Sequence, residues 1–464
     1  MSSIIELYHS SIQSIENAKK NGYNFYWKNI DLSDLFLNEW IEAQLNSKKY
    51  TQPTFLKLVK LKLYFWRQRL KSFTLKNNTN FEIIVFFNSY SQYKVILPVI
   101  KELIKLNVQV KVVVTKPYLL EKIKDLNLQT ELILGYKFSN YEFKNNHEIV
   151  EVINYFLPKL NYLSNKFLSF LANNKVNYFL VGNDSTSEGR LLATLANQSG
   201  IPTGTIQHGS LNRSNPSYGR SIVNQFFVNG IKPKEELNFL GKNENQIFIK
   251  GWTLQKQFKE NLKKEFSNLF DDKKIILVSF SGPGHSTSEK HHIACVQIIK
   301  EIQIELNCFI CIKLHPKDKW SYYDGFNPQK TMILTNDDLI AKNISFHQLL
   351  SLANLVITGA STSALDALMT NTEAVSFDLM KAYQKVDFIQ DGLVHHIESK
   401  ESLKQMIMNT LNKPKSYLDT SQKKLMEKYY YQFYDENYNP SFEIAKTIKE
   451  TIDSNKKKKN LTEK

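Results

Sequence analysis

From residue 81 onward, short runs of β-branched and aromatic residues alternate with longer stretches whose apolar residues recur at helical spacing. No other feature constrains the fold as much, because strand–helix–strand units build a parallel sheet covered by helices on both faces. Strand patterns fall at 81–87, 108–115, 131–134, 176–181 and 201–207, with two more at 226–229 and 246–249. Helical patterns lie between them at 93–106, 148–173 and 188–199. In the first of these, Val95, Ile96, Val99, Ile100 and Leu103 share one face. A charged interval, 256–274, interrupts the series. It resumes with strands at 275–280, 309–314, 332–334, 355–358 and 373–377. Helices are predicted from Glu289, at 345–352 and at 363–369, and most of 399–452 reads as helical.

A chain of 464 residues exceeds what one hydrophobic core organises, and the two α/β series imply two lobes with a cleft between them. The expected division is a helical N-terminal extension (1–75), a Rossmann-like domain (76–255), a second Rossmann-like domain (256–435), and a C-terminal helix with a disordered basic tail (436–464). Within the extension, residues 55–76 mix apolar and basic residues. Lys57, Lys60, Arg67 and Lys71 share a stripe, but Lys62 and Arg69 fall nearly opposite. A helix packed on the next domain and a membrane-surface helix both fit that pattern.

The formal charge of +15 favours anionic partners, from nucleotides to acidic glycans and anionic lipid. No recognised nucleic-acid-binding module accompanies it, so nucleic acid is not an expected partner. The first 20 residues lack the apolar core of a secretory leader, and no run reaches the length of a membrane span. A cytoplasmic protein is expected, with peripheral contact at the inner face of the plasma membrane left open. Three cysteines are too few for a disulfide framework. Cys308 and Cys311 lie in an apolar run and read as buried strand positions rather than metal ligands.

In open parallel sheets, ligands bind beyond the carboxyl ends of the strands, and the loops there hold the unusual residues. After 176–181 comes Gly182 to Arg190, where Ser185, Thr186 and Ser187 can cap the following helix. Asp184 or Glu188 can instead act as the base that takes a proton from an acceptor hydroxyl. After 201–207 come His208, Gly209 and Ser210, following Gln207; a turn histidine and a second candidate base are the competing readings. After 309–314 come His315 and Pro316. The proline ends the strand and fixes its exit, and the histidine can donate to a phosphate oxygen. After 355–358 come Gly359, Ser361, Thr362 and Ser363, with Asp366 one turn into the helix. Hydroxyls and helix-start N–H groups suit an anion, and Asp366 suits a ribose hydroxyl. The loop 281–288, with Ser281, Gly282 and Gly284, is a further candidate. It is neither G-x-G-x-x-G nor a P-loop, so dinucleotide oxidoreductase and NTPase readings lack their fingerprints. No D-x-D follows a strand; Asp271–Asp272 and Asp337–Asp338 read as linker and loop charges. A divalent metal is therefore not expected, and neither is any cofactor beyond a nucleotide-sugar co-substrate.

Gln207-His208-Gly209, His315-Pro316 and Ser361-Thr362 together resemble the GT-B transferases of bacterial surface-polymer synthesis. Two families share the set: capsular polysialyltransferases and CDP-glycerol glycerophosphotransferases. In the first, an acidic pair before a glycine supplies the base, and His-Pro with a later Ser/Thr pair grips CMP. The matching stretch here is Ser187-Glu188-Gly189, with serine replacing the first acid. In the second, a His-Gly motif is catalytic and a Ser-Ser pair precedes an aspartate, as in His208-Gly209 and Ser361-Thr362 with Asp366.

The resemblance spans about residues 80–400 and implies a GT-B fold and a metal-independent, inverting glycosyltransferase. The implied donor is a CMP-linked sugar of the sialic-acid or Kdo type, and the implied acceptor a glycan or lipid-linked glycan. It implies Glu188 or His208 as base, His315 at the leaving phosphate, and Pro316, Ser361, Thr362 and Asp366 around the nucleotide, where the loop reading adds Ser281, Gly282, Gly284 and Ser363. Asp184, Arg190, Gln207 and Gly209 fall on the acceptor side. Two alternatives stand beside this reading: a UDP-N-acetylglucosamine 2-epimerase, and a non-catalytic glycan- or nucleotide-binding protein of capsule assembly.

Overall fold

The computed structural model describes residues 4–20, 26–27, 30–31, 33, 81–124, 128–132, 163–209, 211, 218–263, 270, 273–283, 287–316, 318–359, 361–379, 386–413 and 418–462. The chain divides into two compact units. One comprises 1–254 with 435–464, the other 255–434.

The first unit begins with helix α1 (Ile4–Lys20) and a two-stranded antiparallel ladder, β1 (Tyr26–Trp27) with β2 (Ile30–Asp31). The α/β series follows: β3 (Ile83–Phe87), α2 (Tyr90–Lys105), β4 (Val110–Val114), α3 (Pro117–Ile123), β5 (Gln129–Leu132), β6 (Tyr178–Val181), α4 (Ser187–Gln198), β7 (Thr203–Ile206), β8 (Gln225–Val228), α5 (Ile231–Phe239) and β9 (Ile247–Ile249). Strands β3 to β9 form one parallel sheet in the order β5-β4-β3-β6-β7-β8-β9. The order reverses between β3 and β6, which are neighbours.

Strand alternation sends successive residues of β3 to opposite faces. Ile83, Val85 and Phe87 join one core with the predicted stripe Val95, Ile96, Val99, Ile100 and Leu103 of α2. Ile84 and Phe86 join the other, with Leu191, Leu192 and Leu195 of α4 and Ile15 and Ala18 of α1. All five β3 residues are buried, as a strand covered on both faces requires.

The second unit runs α6 (Gln255–Lys263), β10 (Ile276–Val278), α7 (Glu289–Leu306), β11 (Ile310–Lys313), β12 (Thr331–Leu334), α8 (Asn336–Ala341), α9 (Phe346–Leu352), β13 (Leu355–Thr358), α10 (Ser363–Met369), β14 (Glu373–Phe377), α11 (Asp387–Gln390), β15 (His395–Ile397), α12 (Lys400–Asn412) and α13 (Thr420–Tyr429). Its sheet is also all parallel, in the order β12-β11-β10-β13-β14-β15. The reversal again separates the first strand of the unit from the fourth element of the order, here β10 from β13. One face is packed by α7 and α12, through Cys295, Val296, Ile299, Leu403 and Ile407.

Several expectations change. The C-terminal segment is not a disordered tail: helix α14 (Pro440–Thr462) continues through Lys456–Lys459. Its Ile444, Ala445, Ile448 and Ile452 are buried in the core of the first unit. Gln225 Nε2 donates to Thr451 Oγ1 at 3.1 Å, Asn455 Nδ2 donates to the Asn177 carbonyl at 3.1 Å, and Lys456 pairs with Glu82. The lysine run occupies the end of a helix anchored by its apolar face. The charged interval is not all linker, because α6 belongs to the second unit and buries Phe258 against Phe433. Asp337 and Asp338 occupy the first turn of α8, where Asp338 completes a capping box with Thr335. The N-terminal extension contains the β1–β2 ladder as well as helix, and the segment 55–76 lies outside the described residues. Cys311 is in β11 and Cys308 just before it; burial pushes the Cys311 thiol up to about 12 and raises that of Cys308, so neither is a ready thiolate.

Candidate active site

In the first unit the strand order reverses between β3 and β6, so the crevice that such sheets offer to ligands lies between the loops that follow them. Those loops meet. Asn88, directly after β3, donates from Nδ2 to Glu188 Oε2 at 3.4 Å. Glu188 is the second residue of α4 and half-buried. Its position follows from a compact loop: Asn183 Oδ1 accepts the Ser185 N–H at 2.7 Å, and Thr186 caps α4 by accepting the Gly189 N–H at 3.2 Å. Gly189 is required there for space. A Cβ on it would stand 2.0 Å from the Asn183 carbonyl oxygen. The Ser187-Glu188-Gly189 stretch thus places a carboxylate at the mouth of the crevice and folds the loop tightly beneath it.

Asp184 and Arg190 do not belong to the open edge. Asp184 is 2% exposed and Arg190 3%. One Asp184 oxygen accepts the Ile222 N–H at 2.8 Å and the Ser221 hydroxyl, while Arg190 Nε donates to the Asp184 carbonyl at 2.9 Å. A carboxylate so occupied anchors the 218–222 segment; it is not placed to take a proton from a substrate. Its charge reaches several neighbours. With burial it pushes the Tyr218 hydroxyl up to about 12, and it offsets part of the fall that burial imposes on Lys242.

His208 stands after β7, the next strand in the sheet. Burial lowers its pKa below the ordinary histidine range, against partial opposition from the Ile206 backbone and Asp184. A neutral imidazole at pH 7 can accept a proton. Gln207 positions the turn: its Nε2 donates to the Gly209 carbonyl at 2.9 Å and its Oε1 accepts the Asn229 N–H at 2.9 Å. Gly209 is exposed with open space around its Cα. Ser210 lies outside the described residues.

In the second unit the reversal separates β10 from β13, and the β10 loop touches the exits of both neighbouring strands. Gly282 has φ +66°, a left-handed conformation that suits glycine. A Cβ on it would lie 3.0 Å from His315 Nδ1 and 3.2 Å from Asp318 Oδ1, beyond β11. Ser281, Gly282, Thr287 and Gly359, the last directly after β13, line one pocket with His291 and His292. The β10–β13 edge is clamped by Thr358 Oγ1, which donates to the Ser279 carbonyl at 2.8 Å and lies 3.1 Å from Ser363 Oγ. Ser363 is therefore buried and structural rather than presented to a ligand. Ser361 Oγ accepts the Ser363 N–H at 3.3 Å, whereas Thr362 is exposed and makes no capping bond from its side chain. Asp366 is half-buried and its charge contributes to the high pKa of buried Tyr430. Pro316 is exposed; Gly284 lies outside the described residues.

Sequence reasoning missed four residues here. His291 and His292, at the start of α7, are both buried. His291 Nε2 lies 3.2 Å from Asp378 Oδ1, and His292 Nε2 lies 3.0 Å from Asp318 Oδ1. The other Asp318 oxygen accepts the His315 backbone N–H at 2.8 Å. The tandem histidines directly after a Gly/Ser loop were the available signal. Asn88, the residue after β3, was missed as well; a polar side chain at the first strand's exit was its only mark.

The chain matches no protein-family profile and no curated protein sequence. Solved structures do share its fold. The UDP-bound MnaA of S. aureus superposes with a TM-score of 0.56 at 14% identity, covering 80% of this chain and 96% of that one. The UDP-GlcNAc 2-epimerase of Methanocaldococcus jannaschii gives 0.54 at 17% identity, covering 79% and 99%. The calicheamicin glycosyltransferase CalG4 gives 0.52 at 13%, covering 81% and 99%. Identities this low establish the fold alone: two Rossmann-like domains of the GT-B type.

Proposed function

We propose that this chain is an enzyme of nucleotide-sugar chemistry, a glycosyltransferase that moves a sugar from a nucleotide-activated donor to a surface glycan or lipid-linked glycan acceptor with inversion. The observation that carries the reading is the edge of the second sheet, where Gly282 leaves room for His315 on one side and joins the exit of β13 on the other. In this reading the second unit holds the nucleotide through Ser281, Gly282, His315, Ser361 and Thr362. The first unit presents the acceptor and the base.

The acceptor oxygen attacks the anomeric carbon while Glu188 or His208 takes its proton. The bond from that carbon to the nucleotide phosphate breaks in the same displacement, and His315 donates to the phosphate oxygen that gains charge. The donor is proposed to be CMP-linked, of the sialic-acid or Kdo type, on the Glu188-Gly189, His315-Pro316 and Ser361-Thr362 resemblance. No metal is proposed to take part, since the sequence offers no D-x-D at a strand exit. The work site is proposed to be the cytoplasmic side, where contact with the inner membrane face would suit a lipid-linked acceptor and the basic surface.

A second reading has its own support: UDP-GlcNAc 2-epimerases from different organisms share the fold over nearly their whole length. One experiment separates the two. The protein is incubated with CMP-sialic acid, CMP-Kdo or UDP-GlcNAc, with and without a capsular oligosaccharide acceptor and with and without EDTA, and products are read by mass spectrometry and NMR. Acceptor-dependent sugar transfer that survives EDTA is expected. Conversion of UDP-GlcNAc to the manno epimer without acceptor would replace the transferase reading. Binding without turnover of any donor would leave a non-catalytic nucleotide- or glycan-binding protein.

A further inference from the structure

We propose that Asp318 is a positioning residue for His315, the counter-charge that fixes the His315-Pro316 turn and keeps the imidazole protonated at neutral pH. This rests on the reading of His315 as the group facing the donor phosphate and adds how that group is kept competent.

The carboxylate has two separate engagements. Its Oδ2 accepts the His315 backbone N–H at 2.8 Å and the Tyr323 hydroxyl at 3.3 Å. Its Oδ1 lies 3.0 Å from His292 Nε2, with both side chains essentially fully buried. The Oδ2 bond is matched by a second one between the same two residues, the Asp318 N–H donating back to the His315 carbonyl at 2.9 Å. His315 can therefore leave β11 in only a narrow range of directions. The charge is also near the ring: His315 Nδ1 and Asp318 Oδ1 lie 3.0 and 3.2 Å from one point, the position of a Cβ on Gly282, so at most about 6 Å separates them.

A buried carboxylate near an imidazole favours the imidazolium, and an opposite charge within about 4–6 Å shifts a pKa by roughly one unit or more. An imidazolium donates to a phosphate oxygen more strongly than neutral imidazole does, because the hydrogen bond is charge-assisted. Other charged and titratable groups around this pair belong to the same balance. Lys313 bears on Asp318 from β11, His291 and Glu289 bear on His292 from α7, and Tyr322 and Tyr323 pack against it from the segment after His315. A residue that only braced the turn would affect stability and affinity without moving the titration of the His315 ring.

The test is the His315 titration in the full-length protein, followed by NMR of 15N-histidine and assigned by the signal lost in His315→Gln. In the wild type the midpoint is expected above the ordinary histidine value of about 6.5. In Asp318→Asn, which keeps the shape of the side chain, it is expected to fall by about one pH unit, and CMP affinity by isothermal titration at pH 7.5 to fall about tenfold or more. A wild-type midpoint at or below 6.5, or an unchanged midpoint in a folded Asp318→Asn, overturns the proposal. The wild-type midpoint decides the matter even if Asp318→Asn does not fold. A wild type that binds neither CMP, CDP, UDP nor GDP refutes the nucleotide reading instead, and the ring titration still decides the role of Asp318.

Discussion

The two sheets share a strand order but not the chemistry of their edges. In each unit the order places the third, second and first strands before the fourth and later ones, so each has a crevice between its first and fourth strands. In the first unit that crevice carries Glu188 against Asn88, with His208 held neutral by burial on the neighbouring strand. In the second it carries a left-handed glycine beside His315, with Ser281 and Thr287 lining the same pocket as that glycine. Topology fixes where a ligand can sit; in the proposed function the loop residues decide whether that place takes a proton or supplies one. The supporting glycines differ in the same way. Gly189 is needed because the Asn183 carbonyl fills the space of its Cβ, whereas Gly282 is needed for its conformation and for the two acid–base groups beside it.

The largest effect expected to test this contrast is on turnover. If the first unit supplies the base, Glu188→Gln lowers transfer on the order of 10³-fold with unchanged nucleotide affinity, measured by steady-state kinetics beside calorimetry. Retained activity would move the role to His208. His315→Ala is expected to lower the rate on the order of 10²-fold and to weaken nucleotide binding too, a combination Glu188→Gln should not produce. Equal affinity in the two variants would erase the difference between the edges.

The glycines sharpen the comparison on a smaller scale. Gly189→Ala forces a Cβ into backbone and is expected to cost about 1–3 kcal/mol in urea unfolding. Gly282→Ala, strained mainly by its φ, is expected to cost about 1–2 kcal/mol while weakening CMP binding more than Gly189→Ala does. The smallest effect is on acid stability, and here the units should agree. His208 in the first and His291 in the second both have pKa values lowered mainly by burial, in His291 with a contribution from His292 and against the pull of Asp378. An unfolded histidine then binds protons that the folded one resists. The stability contribution is complete above about pH 6.5 and is lost as pH falls through the lowered folded values. His208→Gln and His291→Gln should each flatten the fall in melting temperature between pH 7.5 and 5. A fall as steep as in wild type in either would contradict the burial of that ring.

The strands were legible because buried parallel strands leave unbroken apolar runs, as in Ile83–Phe87 and Leu355–Thr358. The α2 face was legible because its five apolar positions repeat at helical spacing. Strand β15 was not, since His395 and His396 lack that signature and only its pairing with β14 makes it a strand. The terminal lysines looked disordered because their helix is held by apolar residues one and two turns earlier. At the sites, motifs marked Glu188, His208, His315 and Ser361, all half-buried in or just beyond the loops that leave the strands. They could not mark Asp184 as buried, because Ser221 and Ile222 satisfy it from a distant segment. Nor could they pair His292 with Asp318, because that contact exists only once α7 has docked on the sheet.

The division of labour between the two edges can be tested directly by thermal shift of the wild type, Glu188→Gln and His315→Ala with CMP, CDP, UDP and GDP. A ligand that binds only the folded state raises the melting temperature, by more as its concentration exceeds Kd. At least one nucleotide is expected to stabilise the wild type and Glu188→Gln alike and to lose most of that effect in His315→Ala. No shift in the wild type with any of the four, or a shift that disappears in Glu188→Gln and persists in His315→Ala, would contradict it.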